Sequence, residues 1–284
     1  MHTTIKSAVY LLLATSLFLI SGCTKVERET EFRDGNTLLK DQNHLFLFSR
    51  EVAENLSVSS YRQRIQALSS DSKLDAETPD DIALLKSVAD PIIEQAKKMY
   101  PHSRGWEWEY HIERSSDMNA MCFAGGKILV LSGLLENTGR NRDKLALVLG
   151  HEVSHALLEH GRAGLSRDWA LFSGMWIMAK SFKMGLVRFA VAMEDVQTTL
   201  LPMNRNQERD ADTLGLELMA RAGFNPHEGA RAWEDFMVKR GSQTDAGKRL
   251  EAFLSSHPTH EDRLGRLTRL ADKIRPVQNQ EAKP

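Results

Sequence analysis

Residues 151–155 read His-Glu-Val-Ser-His, and this pentad constrains the chain more than any other stretch. On an α-helix His151 and His155 fall one turn apart on the same face. Both imidazoles can then reach a single Zn²⁺ at about 2.0–2.1 Å. Glu152, beside the first ligand, can stand next to a water at the metal and serve as general base. The surroundings suit a helix. Leu145, Val148 and Leu149 supply an apolar stripe, Asn141 or Asp143 can cap the start, and Gly161 suits the end. The plainer alternative is a buried amphipathic helix with two incidental histidines, and the downstream residues decide between the two.

A catalytic zinc needs a third protein ligand and one open position. The extended pattern HExxHxxGxxH would place glycine at 158 and histidine at 161, where this chain has Leu158 and Gly161. His160 falls one residue short and is expected to point elsewhere on the helix. The other solution takes a glutamate from a later helix. In NRNQERDADTLGLELMARAGF, Glu208 and Asp212 are four apart on one face, followed by Leu214, Leu218 and the C-capping Gly223. Glu208 would bind the metal. Asp212, one turn on, would hold the far nitrogen of a ligand histidine, His151.

HExxH followed by E-x-x-A-D resembles the gluzincin metallopeptidases of the family that includes the CAAX prenyl protease and the HtpX heat-shock protease. Asn119-Ala120 and then GGKILVLSGLL at 125–135 resemble the segment which that family carries before its zinc helix. His257-Pro258 with Arg263 resembles its C-terminal motif, so the similarity runs from about residue 85 to 270. The resemblance implies an α+β, mainly α-helical gluzincin-type domain with a small β-sheet beside the zinc helix. It also implies a zinc-dependent metalloendopeptidase with one Zn²⁺ per chain. Its substrates would be misfolded or misassembled cell-envelope proteins. An edge strand near Asn119–Phe123 would hold the substrate backbone by strand addition, with Asn119 as a binding group or merely a turn residue. Arg263 or His257 would stabilise the oxyanion. His257 has a second possible role, as a latch in the open zinc position. The competing class is a chaperone-like assembly factor with a latent or non-catalytic zinc. The intact Glu152 speaks against a purely structural site, because structural zinc sites are closed and usually rich in cysteine.

The amino-terminal segment departs from the membrane-spanning members and resembles a lipoprotein. Lys6 precedes an uncharged apolar core at 8–20, which ends Ile20-Ser21-Gly22-Cys23 like a lipobox. Residues 1–22 are therefore expected to be a signal peptide, with Cys23 the lipidated first residue and the membrane anchor. Thr24 in place of aspartate favours the outer membrane, with the protein facing the periplasm. Residues 23–80 read as a lipid-anchored segment with a helical stretch at 38–68, packing through Leu45, Phe46, Phe48, Leu56 and Ile65. Residues 81–275 form the metallopeptidase domain and 276–284 a polar tail.

A chain of 284 residues with 42% hydrophobic content can bury a sizeable core, and a net charge of −1 gives no reason to expect nucleic acid. Pro79 opens a helix through about Lys98, which Pro91 is expected to break or kink. Trp106–Ile112 alternates as a half-buried strand, and Lys127–Leu131 is a second strand, after which Ser132 can cap a helix. Cys122, the cysteine besides Cys23, reads as a buried small residue. Between the two ligand segments, 164–205 reads as helices packed on the domain. The alternative is a Met-, Trp- and Phe-rich face (Met175, Trp176, Phe182, Met184) touching membrane or unfolded substrate. Asn225-Pro226-His227-Glu228 begins a helix. The last helix starts near Thr259 and packs through Leu264, Leu267, Leu270 and Ile274.

Overall fold

The pentad sits in the middle of a group of helices packed against a small mixed sheet. The computed structural model describes residues 21–26, 39, 43–75, 78–181, 205–239, 244–245 and 263–274. In chain order these form strands β1 (Ser21–Lys25) and β2 (Asn43–Phe46), then helices α1 (Arg50–Ser70) and α2 (Pro79–Met99). Strands β3 (Glu109–Glu113), β4 (Ala120–Phe123) and β5 (Lys127–Leu131) follow. The remaining helices are α3 (Ser132–Asn137), α4 (Arg142–Leu157), α5 (His160–Ser181), α6 (Arg205–Arg221), α7 (Pro226–Lys239) and α8 (Arg263–Lys273). The mainly helical α+β class expected from the sequence is the one observed.

The sheet order is β3-β5-β4. Its centre, β5, is parallel to β3 and antiparallel to β4. All five β5 residues are buried, as a continuous apolar run from Ile128 requires of a central strand. The β4–β5 turn needs glycine twice, since Gly125 and Gly126 have φ +90° and +80°. A side chain at either would also meet Val58 or the Trp108 ring at 2.8 Å. Strand β4 pairs only with β5 among the described residues, which leaves its outer edge open. The alternating stretch predicted from Trp106 becomes strand only at Glu109. Trp106 instead closes a turn on the Ser103 carbonyl, and its indole Nε1 donates to Glu54 at 2.8 Å. Ser132 caps nothing, because its hydroxyl exchanges hydrogen bonds with the backbone of Ser115.

Helix α2 is capped by the Thr78 side chain and runs unbroken through Pro91. Proline removes the N–H that would have served the Ser87 carbonyl. Arg142 Nη2 donates to that carbonyl at 3.1 Å, so the expected break does not occur. Helix α4 starts at the Asn141 cap, whose side chain accepts from the Lys144 N–H at 3.0 Å. From Leu145 to Leu157 every residue is buried, which makes α4 a core helix rather than a one-sided amphipathic one. It ends before Gly161. Glu159 takes the left-handed conformation (φ +56°), and Gly161 falls inside α5. The carboxylate of Glu159 is held by both Arg50 and Arg162, which fixes the turn without a glycine.

Helices α4 and α6 cross at Gly150 and Gly215. A Cβ on Gly150 would lie 2.7 Å from the Gly215 carbonyl oxygen, and one on Gly215 would lie 2.6 Å from the His151 nitrogen. Helix α6 closes at Gly223 (φ +87°), with Phe224 N–H donating to the Met219 carbonyl. The Asn225 side chain caps α7. Leu267 and Ala271 bury one side of α8; the residues before Arg263 lie outside the described ones.

The amino-terminal segment holds more structure than its polar composition suggests. β1 spans the expected cleavage point after Gly22 and pairs with β2, a strand within the stretch read as helical. Helix α1 buries Tyr61 and Leu68 and leaves Leu56 53% exposed. Leu47 N–H donates to Ser166 Oγ at 3.0 Å and Arg162 Nε donates to the Phe48 carbonyl at 2.7 Å, fastening this segment to α5. Along α5, Phe172 and Trp176 are exposed with their rings stacked, so the packing expected of this stretch does not extend to them. No described helix is long and apolar enough to cross a membrane. Phe182 and Met184 lie outside the described residues.

Candidate metal centre

The four-residue spacing in α4 and the glycine crossing with α6 bring three side chains to one point. His151 Nε2 lies 3.1 Å from His155 Nε2, His151 Nε2 lies 3.4 Å from Glu208 Oε2, and His155 Nε2 lies 3.3 Å from Glu208 Oε1. Ligand atoms held tetrahedrally at zinc–ligand distances of about 2.0–2.1 Å stand roughly 3.3–3.4 Å apart. The three separations therefore match the edges of such a tetrahedron. All three residues are buried, and they form the one such His/Cys/Asp/Glu group among the described residues. Two imidazoles and a carboxylate are the donor set of a catalytic zinc, with the fourth position left for water.

Each histidine is held from behind. His151 Nδ1 lies 3.0 Å from Asp212 Oδ1, where the ring N–H donates to the carboxylate. Arg263 Nε donates to Asp212 at 2.9 Å, Arg263 Nη2 and Arg266 also bind that carboxylate, and Arg263 stacks on Trp233 at 3.4 Å. Burial alone would raise the Asp212 pKa, but Arg263, His151 and Arg266 outweigh it and hold the group well below the usual carboxylate range. Burial also pulls both histidines, His151 and His155, down. At His151 the carboxylates of Asp212 and Glu208 overcome it and raise the pKa; at His155 burial prevails. Behind His155 stands His160, with the two Nδ1 atoms 2.9 Å apart. The sequence expectation that His160 points away fails because α4 stops at Leu157 and the chain turns at Glu159. Spacing from His155 could not reveal this, since the signal lies in where the helix ends.

Glu152 and His155 open onto a cavity of about 480 Å³. Asn119 and β4 form one side, and Arg50, Ala53, Glu54 and Ser57 of α1 form another. Asn119 Oδ1 accepts from the Ala120 N–H at 2.9 Å, so part of this side chain shapes the start of the strand. Cys122, expected to be buried, is half-buried in the cavity wall. Arg263 is absent from that lining and lies beneath His151, its Nη2 3.4 Å from His151 Nδ1. His257 lies outside the described residues, as does the side chain of Cys23.

Comparison with known proteins places this geometry in context. The mitochondrial metalloendopeptidase OMA1 of Arabidopsis thaliana is 32% identical over 168 residues, covering 57% of this chain and 31% of the relative. OMA1 of Schizosaccharomyces pombe is 31% identical over 167 residues, covering 57% and 46% respectively. The β-barrel assembly-enhancing protease of Escherichia coli (strain K12) is 25% identical over 206 residues, covering 67% and 41%. The chain spans about a third to a half of the length of the curated relatives it matches. The model of peptidase family M48 matches residues 81–271, a span that contains all three converging side chains and both residues behind them. The chain belongs to peptidase family M48, a family of metallopeptidases.

Proposed function

We propose that the protein is a zinc-dependent metalloendopeptidase with His151, His155 and Glu208 as ligands and Glu152 as general base. One observation carries this reading: the three donor atoms converge at tetrahedral spacing, and His155 among them lines the same cleft as Glu152. When bound, zinc supplies a Lewis acid that polarises a carbonyl and makes water a stronger acid. Glu152 takes the proton from the attacking water and passes it to the amide nitrogen of the leaving group. The open edge of β4 binds an extended substrate backbone by strand addition, and Asn119 adds a polar contact beside the scissile bond. Asp212, backed by Arg263, keeps His151 oriented. His257 remains the candidate for the oxyanion donor or for a latch. His257→Ala separates the two roles, since turnover falls by about 10²–10³ for a donor and rises for a latch.

The substrates are unfolded or misassembled proteins of the bacterial envelope. The name of the Escherichia coli relative, a β-barrel assembly-enhancing protease, supports that choice. Residues 1–22 act as a lipoprotein signal, and Cys23 carries the lipid that tethers residues 23–80 to the outer membrane. The domain at 81–275 then faces the periplasm as a lipoprotein-like branch of the family.

The test is cleavage of casein and of an unfolded outer-membrane β-barrel protein, with and without a chelator. Glu152→Gln abolishes cleavage and keeps zinc, whereas Glu208→Ala loses zinc by elemental analysis. Chelator-insensitive cleavage, or full zinc in Glu208→Ala, overturns the assignment. A zinc-loaded wild type that binds unfolded protein without cutting it would favour the chaperone-like alternative.

A further inference from the structure

We propose that His160 is the positioning residue for His155: it fixes the tautomer and ring orientation that turn His155 Nε2 toward the metal. This rests on the metal-centre reading above. An imidazole that ligates through Nε2 leaves that atom unprotonated, so a neutral ring carries its hydrogen on Nδ1. His155 Nε2 is the atom facing His151 Nε2 and Glu208, at 3.1 and 3.3 Å. Its Nδ1–H therefore points the other way, and there it meets His160 Nδ1 at 2.9 Å. Two ring nitrogens at that separation must be one donor and one acceptor. His155 donates, His160 accepts, and His160 carries its own hydrogen on Nε2.

The local fold explains how the fifth residue after a ligand comes to stand behind it. In a continuous α-helix, residues five apart are about 140° apart around the axis. Here the helix ends at Leu157, and Glu159 enters the left-handed region at φ +56°. The turn brings His160, the first residue of α5, back beneath His155. The two rings meet nearly edge to face, with centroids 4.9 Å apart and planes at 73°, and His160 is 2% exposed. Arg50 and Arg162 clamp the Glu159 carboxylate, so the turn that aims His160 is itself held by side chains.

The two ligand histidines are consequently unequal. A carboxylate braced by two guanidiniums backs His151, whereas a neutral imidazole backs His155. An anionic partner strengthens a ligand histidine more than a neutral one does. His155 is thus the weaker donor, and the hydrogen bond to His160 aligns its ring from behind.

The experiment measures zinc affinity of the full chain by competition with a chromophoric chelator, for wild type, His160→Leu and His160→Asn. Asparagine places a carbonyl oxygen close to where His160 Nδ1 stands and can accept the same N–H. The expected result is a roughly 10–100-fold loss of affinity in His160→Leu and recovery to within about threefold in His160→Asn. Helix content and melting temperature of the metal-free proteins stay close to wild type in both. Cobalt substitution gives a second readout, in which His160→Leu alters the d–d absorption envelope and His160→Asn restores it. Zinc binding by His160→Leu within twofold of wild type overturns the proposal. So does His160→Asn as weak as His160→Leu, or a loss matched by melting of the metal-free protein. A wild-type chain that binds no stoichiometric zinc overturns the metal-centre reading itself, and that outcome is distinct from the others.

Discussion

Helices α4 and α1 border the same cleft, yet they are held by opposite means. Helix α4 is buried along its length and meets α6 backbone against backbone at Gly150 and Gly215. Helix α1 buries only Tyr61 and Leu68 and depends on polar ties. Tyr61 donates to Glu109 at 3.1 Å, Arg64 pairs with Glu113, Glu54 accepts from Trp106, and Arg50 pairs with Glu159 at 2.6 Å. Shape fixes the helix that presents His151 and His155, and charge fixes the wall across the cleft. The first kind of contact tolerates almost no added volume. The second answers to charge neutralisation and acid, because partly exposed ion pairs are screened and titratable.

The sharpest way to break this comparison is Gly215→Ala. Its Cβ would press on the His151 backbone, which cannot rotate away. We expect a loss of about 3 kcal/mol or more, seen in thermal unfolding, together with loss of zinc. A melting temperature and zinc content like wild type would show that α4 and α6 are not locked by shape. Next in size is Glu159→Gln, which removes the anion between Arg50 and Arg162. Charged hydrogen bonds of this kind are worth about 1.5–3 kcal/mol, and the effect should shrink at high salt. An undiminished effect in 1 M salt would argue that the turn, not the charge, matters.

The smallest effect concerns Asp81, whose carboxylate is bound by Arg140 at 2.7 Å. The hydrogen bond from Arg140 lowers the Asp81 pKa against the opposing pull of burial. Because the folded value lies below the unfolded one, the stabilisation is full above about pH 3.9 and fades as pH falls through the folded value. Asp81→Asn should therefore flatten the stability profile below about pH 4, by denaturant unfolding, and leave its shape near neutrality unchanged. An unchanged acid limb would remove Asp81 from the charge-held group.

What could be read in advance follows the same division. HEVSH and ERDAD specify their chemistry through spacing within a single helix, and a 3.6-residue period is visible in any sequence. The glycine pairs that set a hairpin and a crossing could be noticed, but not matched to their partners. The end of α4 falls short of Gly161 because Glu159, a residue that ordinarily avoids positive φ, is held there by Arg162 nearby and by Arg50 from far along the chain. Pro91 does not break its helix, and Arg142 supplies the donor that proline lacks. His160 depended on the turn and was lost with it. These three are local rules overridden by a distant polar partner, Arg50 or Arg142, and a short window of sequence does not contain both ends of such a contact.

The crossing of α4 and α6 also bears on which ions would fit among His151, His155 and Glu208. With no side chain between Gly150 and Gly215, the helix carrying His151 and the helix carrying Glu208 can neither close further nor be wedged apart by a change of rotamer. The spacing suits bonds of about 2.0–2.1 Å, whereas calcium asks for about 2.3–2.6 Å and six to eight oxygens. Two backbones in contact thus act as a gauge: they set the distance between the helix of His151 and the helix of Glu208 right beside His151.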